Sequence, residues 1–123
     1  MTQSPDDRRY TPSHEWVQGD DPLTIGITRY AADELGDIMF LMLPEVGDEI
    51  VAGTVCAEID AVKTVGEVLA PVSGTVVEVN TVAMDDTSLV NSDPFGAGWL
   101  LRVAAAAPEG LLDAAGYDAT VSG

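Results

Sequence analysis

Apolar and polar residues alternate over short stretches along most of this chain, and glycine or proline breaks the pattern every few residues. Glu15-Trp16-Val17 reads as a short strand, Gly19-Asp20-Asp21-Pro22 as a turn, and Leu23 to Thr28 as a returning strand, which predicts a hairpin. Thr28 to Gly36 predicts a short helix, with Thr28 a candidate cap and Gly36 where a left-handed stop is expected. Ile38 to Leu43 is a nearly continuous apolar run of strand length, closed by Pro44. Val46 to Gly53 then reads as turn, short strand and turn. Two strand-like runs, Val55 to Asp60 and Val65 to Leu69, flank the connection Ala61-Val62-Lys63-Thr64 and predict a second hairpin. Pro71-Val72-Ser73-Gly74 turns the chain, and Thr75 to Asn80 alternates as a strand with one wet face. Asp85 or Asp86 is a candidate cap for a helical turn through Leu89 and Val90, and Gly98 to Val103 is a last strand. Pro108-Glu109 opens a C-terminal helix, with Gly116 at its stop.

Many short strands joined by Gly and Pro turns indicate a mainly β, β-dominated α+β fold: a sandwich or flattened barrel of two small sheets with short peripheral helices, one of them C-terminal. The step Gly53-Thr54-Val55 resembles Gly74-Thr75-Val76, each entering a β-run, which hints at a pseudo-symmetric pair of sheets. Gly53 and Gly74 are expected at turns of restrictive backbone geometry. At 123 residues the chain is read as one domain, 10–123, preceded by a flexible tail, 1–9. Trp16 and Trp99 are expected in the core.

Composition narrows the function. Hydrophobic residues make up 46% of the chain, enough for a packed core. A net charge of −16 argues against nucleic acid and anionic membrane surfaces and favours partners with basic docking patches. The one cysteine, Cys56, excludes an internal disulfide and reads as a half-buried strand thiol. The single histidine, His14, has no second His or Cys to share a metal, so no metal site is expected. No apolar run approaches the ~20 residues of a membrane span, and the start lacks the basic and apolar regions of a signal peptide. A monomeric cytoplasmic protein is expected.

Lys63 is the only lysine, and it falls in the connection between two predicted strands. That position would hold its amine at an exposed, rigid tip, where acylation would add a carried group. Catalysis by a lysine needs a desolvated pocket, and an exposed tip among carboxylates supplies the opposite environment. Lys63 therefore reads as an attachment point, with Glu58, Asp60 and Glu67 placed to ring it with negative charge. A biotin carrier would be expected to flank the lysine with methionines, where this chain has Val62 and Thr64.

A set of spaced blocks carries a resemblance. His14-Glu15-Trp16-Val17, Gly26-Ile27-Thr28, Tyr30-Ala31, Leu35-Gly36-Asp37-Ile38 and Leu43-Pro44-Glu45-Val46-Gly47 are followed by Val62-Lys63 and Ala70-Pro71-Val72-Ser73-Gly74. Val79-Asn80, Leu89-Val90-Asn91, Asp93-Pro94 and Gly98-Trp99-Leu100 complete the order. From about residue 10 to 117 this resembles the H proteins of the glycine cleavage system. The resemblance implies a lipoyl-domain-like fold and a non-catalytic carrier, with lipoic acid in amide linkage on Lys63, a group that an over-expressed sample can lack. It implies recognition through the hairpin residues Glu58, Asp60, Ala61, Val62, Thr64 and Glu67. It also offers His14 and Glu15 as a docking surface for the loaded arm, Glu15 being otherwise a solvated strand residue. The implied partners are the glycine decarboxylase (P protein), the aminomethyltransferase (T protein), the dihydrolipoamide dehydrogenase (L protein) and lipoate-attaching enzymes. An H-like lipoate relay, or a lipoyl carrier of another multienzyme system, is the alternative. The chain departs from the pattern near the arm, with Asp60-Ala61-Val62-Lys63 where Glu-Ser-Val-Lys is usual, Gly66 where serine is common and Leu69 where tyrosine is common.

Overall fold

The computed structural model describes residues 8–19, 22–105 and 111–122. In chain order the elements are β1 (Arg9–Tyr10), β2 (Glu15–Gly19), β3 (Leu23–Ile27), α1 (Arg29–Leu35), β4 (Ile38–Met42), β5 (Glu49–Ile50) and β6 (Val55–Ala61). They continue with β7 (Val65–Leu69), β8 (Gly74–Val79), α2 (Thr81–Asp85), α3 (Ser88–Ser92), β9 (Leu101–Ala104) and α4 (Ala114–Ser122). One antiparallel sheet has six strands in the order β1-β2-β3-β9-β8-β5, and a second has three in the order β4-β6-β7. Neither sheet closes on itself, so the sandwich is the observed form, and its first sheet is larger than expected. The two Gly-Thr-Val steps enter β6 and β8, one in each sheet.

The alternation of the sequence becomes the core through register. Val17 pairs with Ile25 across β2 and β3, Leu23 with Val103 across β3 and β9, and Val76 with Val103 across β9 and β8. All five face inward and meet Ala57, Ile59 and Val68 of the smaller sheet in one buried cluster. An aromatic cluster of Tyr10, Trp16 and Tyr117 sits beside it, where the Trp16 indole donates to the carbonyls of Ile27 (2.9 Å) and Pro94 (3.1 Å). Trp99 is half-buried, with the Arg102 guanidinium 4.1 Å from its ring centroid.

Local signals fix α1 as expected. Thr28 accepts a hydrogen bond from the Ala31 amide at its start, a cap worth about 1 kcal/mol, and Gly36 ends the helix at φ +72°. Other elements differ from the reading. Asn80 ends no strand: its side-chain oxygen accepts from the Ala83 amide and caps α2, a helix too short to show a period. Neither Asp85 nor Asp86 caps α3; the capping position is Thr87, whose hydroxyl donates instead to the Ile38 carbonyl (2.6 Å). Gly116 lies inside α4 rather than at its stop, and Pro108 and Glu109 fall outside the described residues, as do Asp20 and Asp21 of the first turn. Of the expected tail, Arg9 forms β1 and Arg8 is buried, its guanidinium 4.6 Å from the Trp16 ring centroid.

The two singled-out glycines act through different causes. Gly53 sits at φ +86° with open space around it, so backbone geometry alone requires it. Gly74 is a strand residue without positive φ; a side-chain carbon there would meet the Ala104 carbonyl at 2.9 Å and the Ala105 methyl at 3.1 Å. Gly74→Val should therefore destabilise by overpacking, by about 1–3 kcal/mol in thermal unfolding. An unchanged melting temperature would mean that β9 yields freely at Ala104.

Candidate functional site

The β6–β7 hairpin has the register Glu58↔Glu67, Ile59↔Gly66 and Asp60↔Val65, closed by hydrogen bonding of the Ala61 amide to the Thr64 carbonyl (2.8 Å). Inward-facing Ala57, Ile59 and Val68 anchor it in the core, while Val62, Lys63 and Thr64 project into solvent. The turn is tied down on one side: the Val62 amide donates to the Asp37 carbonyl (2.9 Å) in the α1–β4 connector. Lys63 is thus exposed on a turn that rests on the fold. Among the described residues no carboxylate lies within ion-pair distance of its ammonium.

The outward face of the three-stranded sheet adjoins this turn. Glu58 and Glu67 face each other across the strands, and Asp60 lies on the same side of β6. The hydrogen bond and charge of Asp60 hold the Glu58 carboxyl above the usual glutamate range, with a smaller contribution from Glu67. One oxygen of Asp60 is enclosed with no hydrogen-bond partner. Around these acids Met39, Phe40, Met42, Val62 and Val65 are 51–69% exposed. Ala61, half-exposed, is the last residue of β6.

On the inward side of the hairpin a cleft of about 190 Å³ opens between the sheets and α1. Ile27, Leu35, Ile59 and Val68 supply apolar walls, and His14, Glu15 and Glu34 bring polar groups to it, while Glu67 borders it from a strand position whose side chain is on the outward face. Gly66 also lines it: a side-chain carbon there would meet Leu35 Cδ2 at 2.7 Å, so leucine occupies the room a larger residue would need. The cleft thus combines apolar walls with the polar groups of His14, Glu15 and Glu34.

Glu15 is not a solvated strand residue; it is 2% exposed. The Thr11 and Ser13 hydroxyls donate to its Oε1 (2.5 and 2.8 Å), and the Leu69 amide approaches Oε2 (3.4 Å). Burial raises its carboxyl above the ordinary value, and these hydrogen bonds only partly offset that. Because the folded value is raised, the stability Glu15 contributes is complete below its unfolded value of 4.5 and is lost as pH rises through the folded one. The difference in melting temperature between wild type and Glu15→Gln should accordingly grow in favour of wild type on acidification from about pH 7 to about pH 4. A pH-independent difference would contradict the burial effect. The same carboxylate, after burial itself, pushes the Cys56 thiol up to about 11, which leaves it inert at neutral pH.

His14 adopts φ +74°, the one positive φ among described non-glycine residues. Its Nδ1 lies 2.7 Å from the Tyr117 hydroxyl, itself 2.7 Å from the Thr28 hydroxyl, and its ring centroid is 4.5 Å from that of Tyr30. Burial lowers its pKa against the opposing charge of Glu34. The histidine is a packed wall of the cleft that joins β2 to α4 and the start of α1. Sequence pattern gave no sign of Tyr117, which meets His14 across 103 residues, nor of Thr11 and Ser13, which bind Glu15 from four and two positions away. No cluster of potential metal ligands occurs among the described residues.

The chain is similar to known proteins along nearly its whole length. The profile of the family described as Glycine cleavage H-protein matches residues 8–122. A protein of Beutenbergia cavernae named glycine cleavage system H protein is 51% identical over 120 residues, covering 97% of each chain. One of Mycobacterium avium with the same name is 48% identical over 131 residues, covering 99% of each. The crystal structure of a glycine cleavage system H protein from Mycobacterium marinum superposes with a TM-score of 0.92 at 44% identity, covering 97% of this chain and 99% of that one.

Proposed function

We propose that this chain, which belongs to the glycine cleavage H-protein family, carries lipoic acid in amide linkage on Lys63. In this role it shuttles an aminomethyl group from the glycine decarboxylase to the aminomethyltransferase and reducing equivalents to the dihydrolipoamide dehydrogenase. One observation supports the reading most: the sole lysine is held in solvent on a tethered turn, next to a cleft with apolar walls and carboxylates. The residues present fit the group. The amine is free for acylation, Ile27, Leu35, Ile59 and Val68 match the hydrocarbon of the arm, and Glu15 and Glu34 suit a cationic amine at its end. When attached, lipoate supplies a dithiolane able to accept a one-carbon amine fragment and two electrons.

The protein's own part is to attach, present and shelter. Lys63 contributes the nucleophilic amine for amide formation. The hairpin strands, anchored by Ile59 and Val68, keep the attachment point fixed while the arm swings, which makes each delivery effectively intramolecular. The cleft excludes water along its apolar walls, where the carboxylates oppose loss of a cationic cargo. Recognition by lipoate-attaching enzymes involves Glu58, Asp60, Ala61, Val62, Thr64 and Glu67. No helix among the described residues is long and apolar enough to cross a membrane; a monomeric carrier in the cytoplasm is the proposed setting. Reconstitution tests the whole reading. Lipoylated protein mixed with the three enzymes should support glycine-dependent NAD reduction, and failure with active enzymes would overturn it.

A further inference from the structure

The Leu89-Val90-Asn91 block takes no part in the arm or the cleft, yet its last residue reaches the support of Lys63. Asn91 Nδ2 donates to the Gly36 carbonyl (2.7 Å), and Asn91 Oδ1 accepts from the Ile38 amide (3.1 Å). These bonds fix the orientation of the side-chain amide, because a carbonyl only accepts and a backbone amide only donates. They straddle Asp37, whose carbonyl receives the Val62 amide (2.9 Å) next to the lysine. Gly36 in turn carries the lysine stem: a side-chain carbon there would lie 3.2 Å from Lys63 Cε and 3.8 Å from Cδ. Asn91 is itself held from behind. Arg29 donates to the carbonyls of Asn91 (2.5 Å) and Ser92 (2.9 Å), and buried Val90 anchors α3.

We propose that Asn91 is a positioning residue for acylation of Lys63, locking the Gly36–Ile38 connector into a seat that presents the lysine in one orientation. The inference rests on the carrier reading. A lysine stem samples many rotamers, and acyl transfer needs the amine aligned with the activated carboxyl, so pre-ordering the turn and its stem lowers the cost of docking. The geometry requires one donor and one acceptor on a short planar group. Aspartate lacks the donor and would set a charge against the Gly36 carbonyl; alanine lacks both groups.

The test uses the full chain, with lipoic acid, ATP and a bacterial lipoate ligase as probe. Asn91→Ala and Asn91→Asp should raise the ligase KM for the protein roughly 10-fold with kcat little changed. Hydrogen exchange at the Val62 amide should speed up by a similar factor of about 10. Val76→Ala, a core substitution remote from the turn, serves as a control for lost stability and should leave both quantities at wild-type values. Wild-type KM in the Asn91 variants, or the same KM rise in Val76→Ala, would overturn the proposal. Should wild-type protein take no lipoyl group on Lys63, the carrier reading fails, and Val62 exchange alone then decides whether the seat exists.

Discussion

Lys63→Arg should remove the lipoyl group completely from protein made in its native host, read as the loss of a single mass increment. Arginine keeps the positive charge and the length of the side chain, but its guanidinium stays protonated and offers no nucleophilic amine. No second lysine can substitute, because the chain has none. The fold should be untouched, since the side chain is exposed and joins no ion pair among the described residues. Glycine-dependent turnover in the reconstituted system should fall to background, while the melting temperature stays within experimental scatter. A lipoyl increment persisting in the variant would place the attachment elsewhere. Its absence from the wild type under lipoate-replete conditions would remove the carrier reading altogether.

The charge-reversal set Glu58→Lys, Asp60→Lys and Glu67→Lys should slow loading by the decarboxylase by roughly 10²-fold at low ionic strength. The sign follows from the net charge of −16, and the size from electrostatic steering, which changes association rates by about 10–10³. These residues share the outward face of the hairpin with the apolar side chains of Met39, Phe40, Met42, Val62 and Val65. A partner that receives the arm meets this face first. Folding should suffer little, because the reversal exchanges one like-charge cross-strand pair, Glu58 opposite Glu67, for another of opposite sign on the same outward face. Wild-type loading should slow as salt rises from about 0.01 to about 0.15 M, over which the Debye length contracts from about 30 to about 8 Å. Flat wild-type rates, or normal loading of the triple variant, would leave the apolar patch as the sole recognition surface.

What could be read from sequence was local chemistry. Thr28 and Gly36 bound α1 through a cap and a positive φ that neighbouring residues dictate, and the Lys63 hairpin follows from two alternating runs with a short link. Contacts distant in sequence were out of reach. Glu15 has the polarity of a surface residue; Thr11 and Ser13 bind it from four and two positions away, but the Leu69 amide reaches it across 54 residues and only the folded sheets bury it. Asn80 continues the alternation of β8 while its side chain starts a helix, so pattern and capping chemistry compete at one residue. The six-stranded order was equally hidden, because β9 inserts between β3 and β8 and neither pairing has a local signal.

That insertion of β9 has a consequence for synthesis. The inner edge of β3 is completed by Leu101–Val103, so it stays unpaired until those residues have left the ribosome. The hairpin bearing Lys63 closes on neighbours in sequence and needs no such wait. During translation the pairing partners of the attachment loop are thus all present before the last strand of the scaffold. A nascent chain stalled before Leu101 would lack the partner of the β3 inner edge, the kind of surface that invites pairing with another chain.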